Sequence, residues 1–257
     1  MSYGDIMKKS DIYLNGPISK GKEQGLEDIV NQAVKKDIQV LSILDCIEKT
    51  DGVLRTTSSC RDALKHRAEI MELQRMRNEI TLLNGIQVSQ PYERGEEFEF
   101  YASFPMDMIV GIVDDFDKGL QKEEEIKKAY DDYYCKNLYA VESGKIDVLS
   151  HLGLIHTYYG YRYCNDSLID TLLREMIHRN VLLEITSGVQ RKDNFSTFPS
   201  YDLLKRYKKL GGEMVTIGTH ANDIQNIGKN LEETYQIAHD LELNPGYFQK
   251  RKFKKIL

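Results

Sequence analysis

A chain of 257 residues with 41% hydrophobic and 29% charged side chains has the composition of an ordinary globular protein and is long enough for one large α/β domain. The formal net charge of −5 leaves no basic footprint, which argues against nucleic acid as a partner. No window approaches the ~18 consecutive apolar residues of a membrane span, so no membrane partner is expected either.

Cys46, Cys60, Cys135 and Cys164 form no CxxC pair and read as reduced thiols of a cytoplasmic protein. The opening MSYGDIMKKSD lacks the apolar core of a signal peptide. Five prolines and no proline- or serine-rich linker predict a single domain over residues 1–257.

In chain order, residues 11–14 read as a short strand, with Gly16-Pro17 as turn signals. Residues 23–36 carry apolar side chains at helical spacing. Residues 38–44 are apolar without alternation, the mark of a strand covered on both faces in a parallel sheet, and end in Asp45-Cys46. Residues 50–59 are polar and loop-like, 61–78 a solvated helix, 80–88 a strand, and 90–104 an irregular excursion with a short helix. Residues 108–113 form an apolar strand that stops at Asp114-Asp115.

Residues 122–142 are a long amphipathic helix closed by Gly144. A strand over 146–149 leads into His151, a helix covers 168–178, and a strand covers 181–185. After a loop over 186–199, Ser200 caps a helix that Gly211-Gly212 ends. A strand over 214–217 runs into Gly218-Thr219-His220-Ala221-Asn222, Asn230 caps a last helix to about Leu241, and residues 247–257 form a basic extended tail. Strand and helix thus alternate about seven times, which predicts a parallel sheet in a closed or nearly closed α/β barrel. Its C-terminal strand ends, Asp11 to Asn15, Asp45-Cys46, Gln87, Asp114, His151, Glu184 and His220, would share one rim. No GxGxxG or GxxxxGK[ST] loop supports nucleotide binding.

Two stretches carry a resemblance. Residues 146–159 are similar to the DVIGHLDLIKRYG segment of histidinol-phosphate phosphatases of the PHP (polymerase and histidinol phosphatase) superfamily. LEITSGVQR followed by FPSYDLLKRYKKLGGEMVTIGTHANDIQNIG resembles the same family's C-terminal third. The resemblance implies a distorted seven-stranded (β/α) TIM-like barrel. It also implies a rim where histidine, aspartate and glutamate hold a metal cluster, usually of three ions, bridged by the substrate phosphate.

At the ligand positions this chain departs from the family. D-x-H-x-H is Asp11-Ile12-Tyr13-Leu14-Asn15, and the T-D-H histidine is Cys46. The G-I-E glutamate is Gln87, and the G-S-V-H histidine is Asp114. The G-H-x-D histidine survives as His151 while its aspartate is Gly153, and G-S-D-A-H has become a run with His220 and Asn222. Gly85, Gly111, Gly218 and Ala221 keep the framework.

Amides and phenols are poor ligands for zinc, manganese or iron, and two or three dications need several carboxylates to offset their repulsion. The expectation is therefore a pseudoenzyme that binds a small phosphorylated metabolite or a protein partner. No cofactor is expected; if one binds, it is a divalent transition metal at low occupancy on His151, His220 and Asp114. Arg191, His156 and Arg162 are candidate phosphate contacts. The alternative is an active metal-dependent histidinol phosphatase of histidine biosynthesis, with one or two metals on His151, His220, Asp114 and Asp45. A third expectation is an assembly role for a tyrosine-rich surface including Tyr130, Tyr133 and Tyr134.

Overall fold

The computed structural model describes residues 8–15, 25–50, 53–56, 60–93, 96–160, 163, 165–187 and 197–256. In chain order the elements are β1 (Ser10–Asn15), α1 (Leu26–Lys35), β2 (Val40–Thr50), β3 (Val53–Thr56), α2 (Cys60–Met76), β4 (Thr81–Ser89), α3 (Glu96–Ala102), β5 (Met108–Ile112) and α4 (Glu123–Glu142). They continue with β6 (Val148–Leu149), α5 (His156–Tyr159), α6 (Asp166–Arg179), β7 (Leu182–Thr186), α7 (Tyr201–Lys209), β8 (Met214–Gly218), α8 (Leu231–Asp240), β9 (Asn244–Gln249) and β10 (Lys252–Lys255).

The protein is of the α/β class. One sheet runs in the order β1-β2-β4-β5-β6-β7-β8-β9-β10, with β3 on the side of β2. Neighbours from β1 to β9 are parallel, and β3 and β10 are antiparallel to β2 and β9. The apolar run in β2 is explained by its two faces. Leu41 and Ile43 pack toward the helices, and Leu44 points into a separate cluster with Ile12, Met108, Val110, Val148, Leu182 and Phe248. That second cluster draws on β1, β2, β5, β6, β7 and β9, so the sheet curls round it.

The curl brings β1 against β8. A Cβ on Gly218 would sit 2.7 Å from Ile12 Cβ, and Thr219 N donates to Asp11 Oδ1 at 2.6 Å. The seven parallel strands from β1 to β8 match the expected barrel-like order, although among the described residues no ladder joins β1 to β8.

Three local expectations are corrected. The 50–59 segment is not all loop, because β3 pairs back on Ile47–Thr50 of β2. The tail is a hairpin rather than a free extension. β9 starts beside β8, and the turn at Lys250-Arg251 reaches the strand starts of β5 and β6: Lys250 N donates to Asp107 Oδ1 at 2.9 Å, and Arg251 Nε lies 2.5 Å from Asp147 Oδ2. With Phe248 buried in the inner cluster, this hairpin floors the curl at its N-terminal end. Asn230 stands at the start of α8, but it adopts φ 56° and makes no side-chain cap; its amide donates to Ser187 O at 3.3 Å. Ser200 does cap α7, accepting from Leu203 N.

The tyrosine-rich surface is also corrected. Tyr130, Tyr133 and Tyr134 of α4 are each at most 1% exposed, so they are core residues and present no assembly face.

Candidate functional site

At the C-terminal end of the strands, β6 and β8 stop in the same way. Their polypeptides turn into the left-handed region at His151 (φ 55°) and His220 (φ 47°). Non-glycine residues seldom adopt this conformation, and where they do a site is often close by.

The turn at His151 is built by α4. The Tyr133 hydroxyl donates to His151 O at 3.1 Å and accepts from Gly153 N at 3.0 Å and Leu154 N at 3.2 Å. Burial pushes this phenol up to about 12, so it keeps the proton it donates.

The two imidazoles lie side by side with ring centroids 4.8 Å apart and planes tilted by 53°. His220 Nε2 lies 2.5 Å from Glu184 Oε1 and 3.3 Å from Ser150 Oγ. The short contact places the proton on Nε2, and His220 Nδ1 and Glu184 Oε2 are buried with no partner among the described residues. His151 is held far below the ordinary histidine value, from 6.5 to about 3, first by burial and then by the neighbouring His220. It is therefore a neutral imidazole at neutral pH. Gly218 makes room for this arrangement, since a Cβ there would stand 3.1 Å from Glu184 Oε1.

Cys46 and Gln87 are paired across β2 and β4 and both are buried. Gln87 Nε2 stands 4.0 Å from Cys46 Sγ, and its Oε1 has no partner among the described residues. Asp114, two residues beyond β5, accepts from Gln90 Nε2 at 2.6 Å. Asn222 is exposed beyond His220.

The structure separates other predicted residues from the rim. Asp45 lies on the helix side of β2, 3.1 Å from His66 Nδ1 of α2. His156 is buried between two hydroxyls, with Tyr130 at 3.2 Å from Nδ1 and Tyr134 at 3.0 Å from Nε2, so it is a packed core histidine rather than an anion contact. The side chains of Tyr13, Asn15, Arg162 and Arg191 lie outside the described residues.

Asp11 is fully buried and accepts from Thr219 N, Thr219 Oγ1 and Gly228 N, so it ties the loop after β8 to β1. Burial lifts its carboxyl from 3.8 to about 6 against those three donors.

Glu184 is the residue that the sequence names only as a strand end. Its signal was there: one carboxylate inside the otherwise apolar-and-threonine strand LLEIT, fully buried, where charge is tolerated only when paired.

The donor set does not fit a cluster of two or three metals. Among the described residues no three histidine, cysteine, aspartate or glutamate side chains converge for one ion. The Nε2 of His220 is committed to Glu184, and Gln87 supplies an amide where a bridging carboxylate would be needed. What the rim does offer, among the described residues, includes the Glu184 carboxylate, the two imidazoles, the Ser150 hydroxyl and the Gln87 amide. That set can hydrogen-bond a polar ligand.

The fold and rim define an α/β protein with its polar site at the C-terminal strand edge, as in barrel enzymes. No family model matches the sequence. The chain is 28% identical over 169 residues to a Clostridium acetobutylicum protein named "Probable histidinol-phosphatase", covering 62% of this chain and 65% of that one, so the match spans just under two thirds of that relative. It is 27% identical over 230 residues to a Thermotoga maritima protein of the same name, covering 87% and 88%. Its fold is similar to the crystal structure of histidinol phosphate phosphatase from Lactococcus lactis, solved with zinc, L-histidinol and phosphate: TM-score 0.73, 17% identity, 96% of this chain and 99% of that one. The chain is thus similar in sequence to proteins named as histidinol-phosphatases, and it shares the fold of a solved histidinol phosphate phosphatase.

Proposed function

We propose that this chain, acting as one barrel unit over residues 1–257, is a histidinol-phosphatase-like binding protein that has exchanged a metal-dependent hydrolytic centre for a hydrogen-bonding rim, and that it takes a small phosphorylated metabolite there. The observation that carries the proposal is the Glu184–His220 contact at 2.5 Å. It commits one of the two His220 ring nitrogens, Nε2, to a protein carboxylate. The neutral His151, held beside it, adds a second imidazole without adding charge. A phosphate ester at this rim would be held by hydrogen bonds from Ser150, His151 and main-chain groups at the strand ends.

Calorimetric titration with L-histidinol phosphate in the presence of EDTA tests the proposal. Saturable binding with no release of inorganic phosphate is expected. Absence of binding under these conditions, with binding restored by added metal, would overturn it.

A second reading is supported by the 4.8 Å approach of His151 to His220. Two imidazoles beside one carboxylate are the remnant of a one-metal site, and a reduced phosphoesterase would use them. In that case His151→Ala removes bound metal and turnover together, and activity retained in that variant excludes it.

A further inference from the structure

At the end of the sheet opposite the rim, a groove opens between α2, the segment entering β5 and the β9–β10 turn. Its volume is about 460 Å³, within the range of small-molecule sites. It is separate from the rim: Asp107 at the start of β5 and Asp114 beyond its end are seven residues apart, about 23 Å of extended chain.

One wall is apolar, formed by Met71, Phe104, Pro105 and Met106. Met71 is 48% exposed there, a large apolar side chain left open beside a cavity.

The charges around the groove do not cancel. Asp107 is the carboxylate in the wall, and its two oxygens are turned to the main chain, accepting from Asn84 N at 3.0 Å and Lys250 N at 2.9 Å. Arg251 is neutralised by Asp147 at 2.5 Å. Arg67 and Lys250 remain, and among the described residues neither side chain has a hydrogen-bond or ion-pair partner. Two uncommitted cations across an apolar wall are complementary to a molecule with one anionic end and one apolar end.

We propose that this groove is a second binding site, for a small organic anion with an apolar body: a carboxylate, sulfonate or phosphate monoester carried on an aromatic or branched aliphatic group. Arg67 and Lys250 hold the anionic end, and the Met71–Phe104–Met106 wall takes the body. The site's concavity and volume suit a small molecule rather than a protein surface, and two cations are too few for a nucleic-acid track.

Fluorescence titration with anilinonaphthalene sulfonate, an aromatic anion, tests the site on the full chain. Four proteins are compared: the wild type, Arg67→Ala/Lys250→Ala, the charge-retaining Arg67→Lys/Lys250→Arg, and the rim variant His151→Asn. The expected result is saturable binding to the wild type, weakened about tenfold or more in the alanine pair, recovered in the charge-retaining pair and unchanged in His151→Asn. Phenyl phosphate should displace the dye, and the uncharged phenylnaphthylamine should bind the alanine pair as it binds the wild type. Equal affinity of the dye for wild type and alanine pair, loss of affinity in His151→Asn, or no binding to the wild type would overturn the proposal.

Discussion

Glu184 Oε1 and His220 Nε2 are 2.5 Å apart, with the two side chains 0% and 3% exposed, one on β7 and the other just beyond the end of the adjacent β8. A carboxylate and an imidazole in that position satisfy each other. They hold the end of β8 to β7, and they withdraw a nitrogen that would otherwise be free to ligate.

Removing one partner should be costly. His220→Ala leaves the Glu184 carboxylate buried and unpaired, and breaking a buried pair in this way destabilises by about 3–5 kcal/mol. Replacing both residues, as in Glu184→Gln/His220→Ala, should recover part of that loss. Urea unfolding of the two single variants and the double variant measures the coupling. Additive single effects would show that the two groups act independently.

Asp11 and His151 make opposite contributions to stability against pH. Asp11, raised from 3.8 to about 6, holds its proton more tightly when folded, so its contribution is present below pH 3.8 and is lost as pH rises through about 6. The span corresponds to about 3 kcal/mol. His151, lowered from 6.5 to about 3, sheds its proton on folding, so its contribution is present above pH 6.5 and is lost as pH falls toward about 3. Between these limits the two slopes oppose one another. Asp11→Asn should leave a protein that loses stability on acidification below pH 6.5. His151→Asn, whose new residue tolerates the left-handed backbone, should leave one that gains stability as pH falls from about 6 toward 4. Identical pH profiles for the two variants would contradict both assignments.

The approach of β1 to β8 depends on a missing side chain. At Gly218 a Cβ would meet Ile12 Cβ at 2.7 Å, Ile12 Cγ1 at 3.0 Å and Glu184 Oε1 at 3.1 Å. Gly218→Ala should therefore cost about 1–3 kcal/mol through overpacking, read from the shift in denaturant midpoint. A neutral result would mean that the curl at this edge is looser than described.

Much of the architecture was legible because it rests on burial. The unbroken apolar run in β2 records two covered faces, and the helical stripe of α6 records one. The β2–β3 hairpin was missed, because the polar composition of residues 50–59 reads as loop although Asp51-Gly52 favours a two-residue connection. The floor hairpin was not legible. NPGYFQ has a proline, a glycine and little alternation, and it becomes a strand because β8 offers it a ladder and the inner cluster takes Phe248. At the site, His151 and His220 stood out by position, whereas their relation to Glu184 and Tyr133 depends on contacts between elements far apart in the chain. His156 shows the converse: its place in a motif suggested a ligand contact, and the two tyrosines one helix away make it a core residue.

The turn that presents His151 should respond to a single hydroxyl. Tyr133→Phe removes the partner of Gly153 N and an acceptor for Leu154 N, at about 1–3 kcal/mol for a buried donor left unpaired. Because the same hydroxyl donates to His151 O, the imidazole resonances of His151 should shift in the variant while those of His66, on the helix side of β2, stay in place. Unchanged His151 resonances would separate Tyr133 from the rim.

The most direct measurement of the central claim is turnover of L-histidinol phosphate by the purified chain after incubation with manganese, zinc or iron, with bound metal counted on the same samples. The Glu184–His220 rim predicts substoichiometric metal and no phosphate release above background. Stoichiometric metal accompanied by turnover would contradict it.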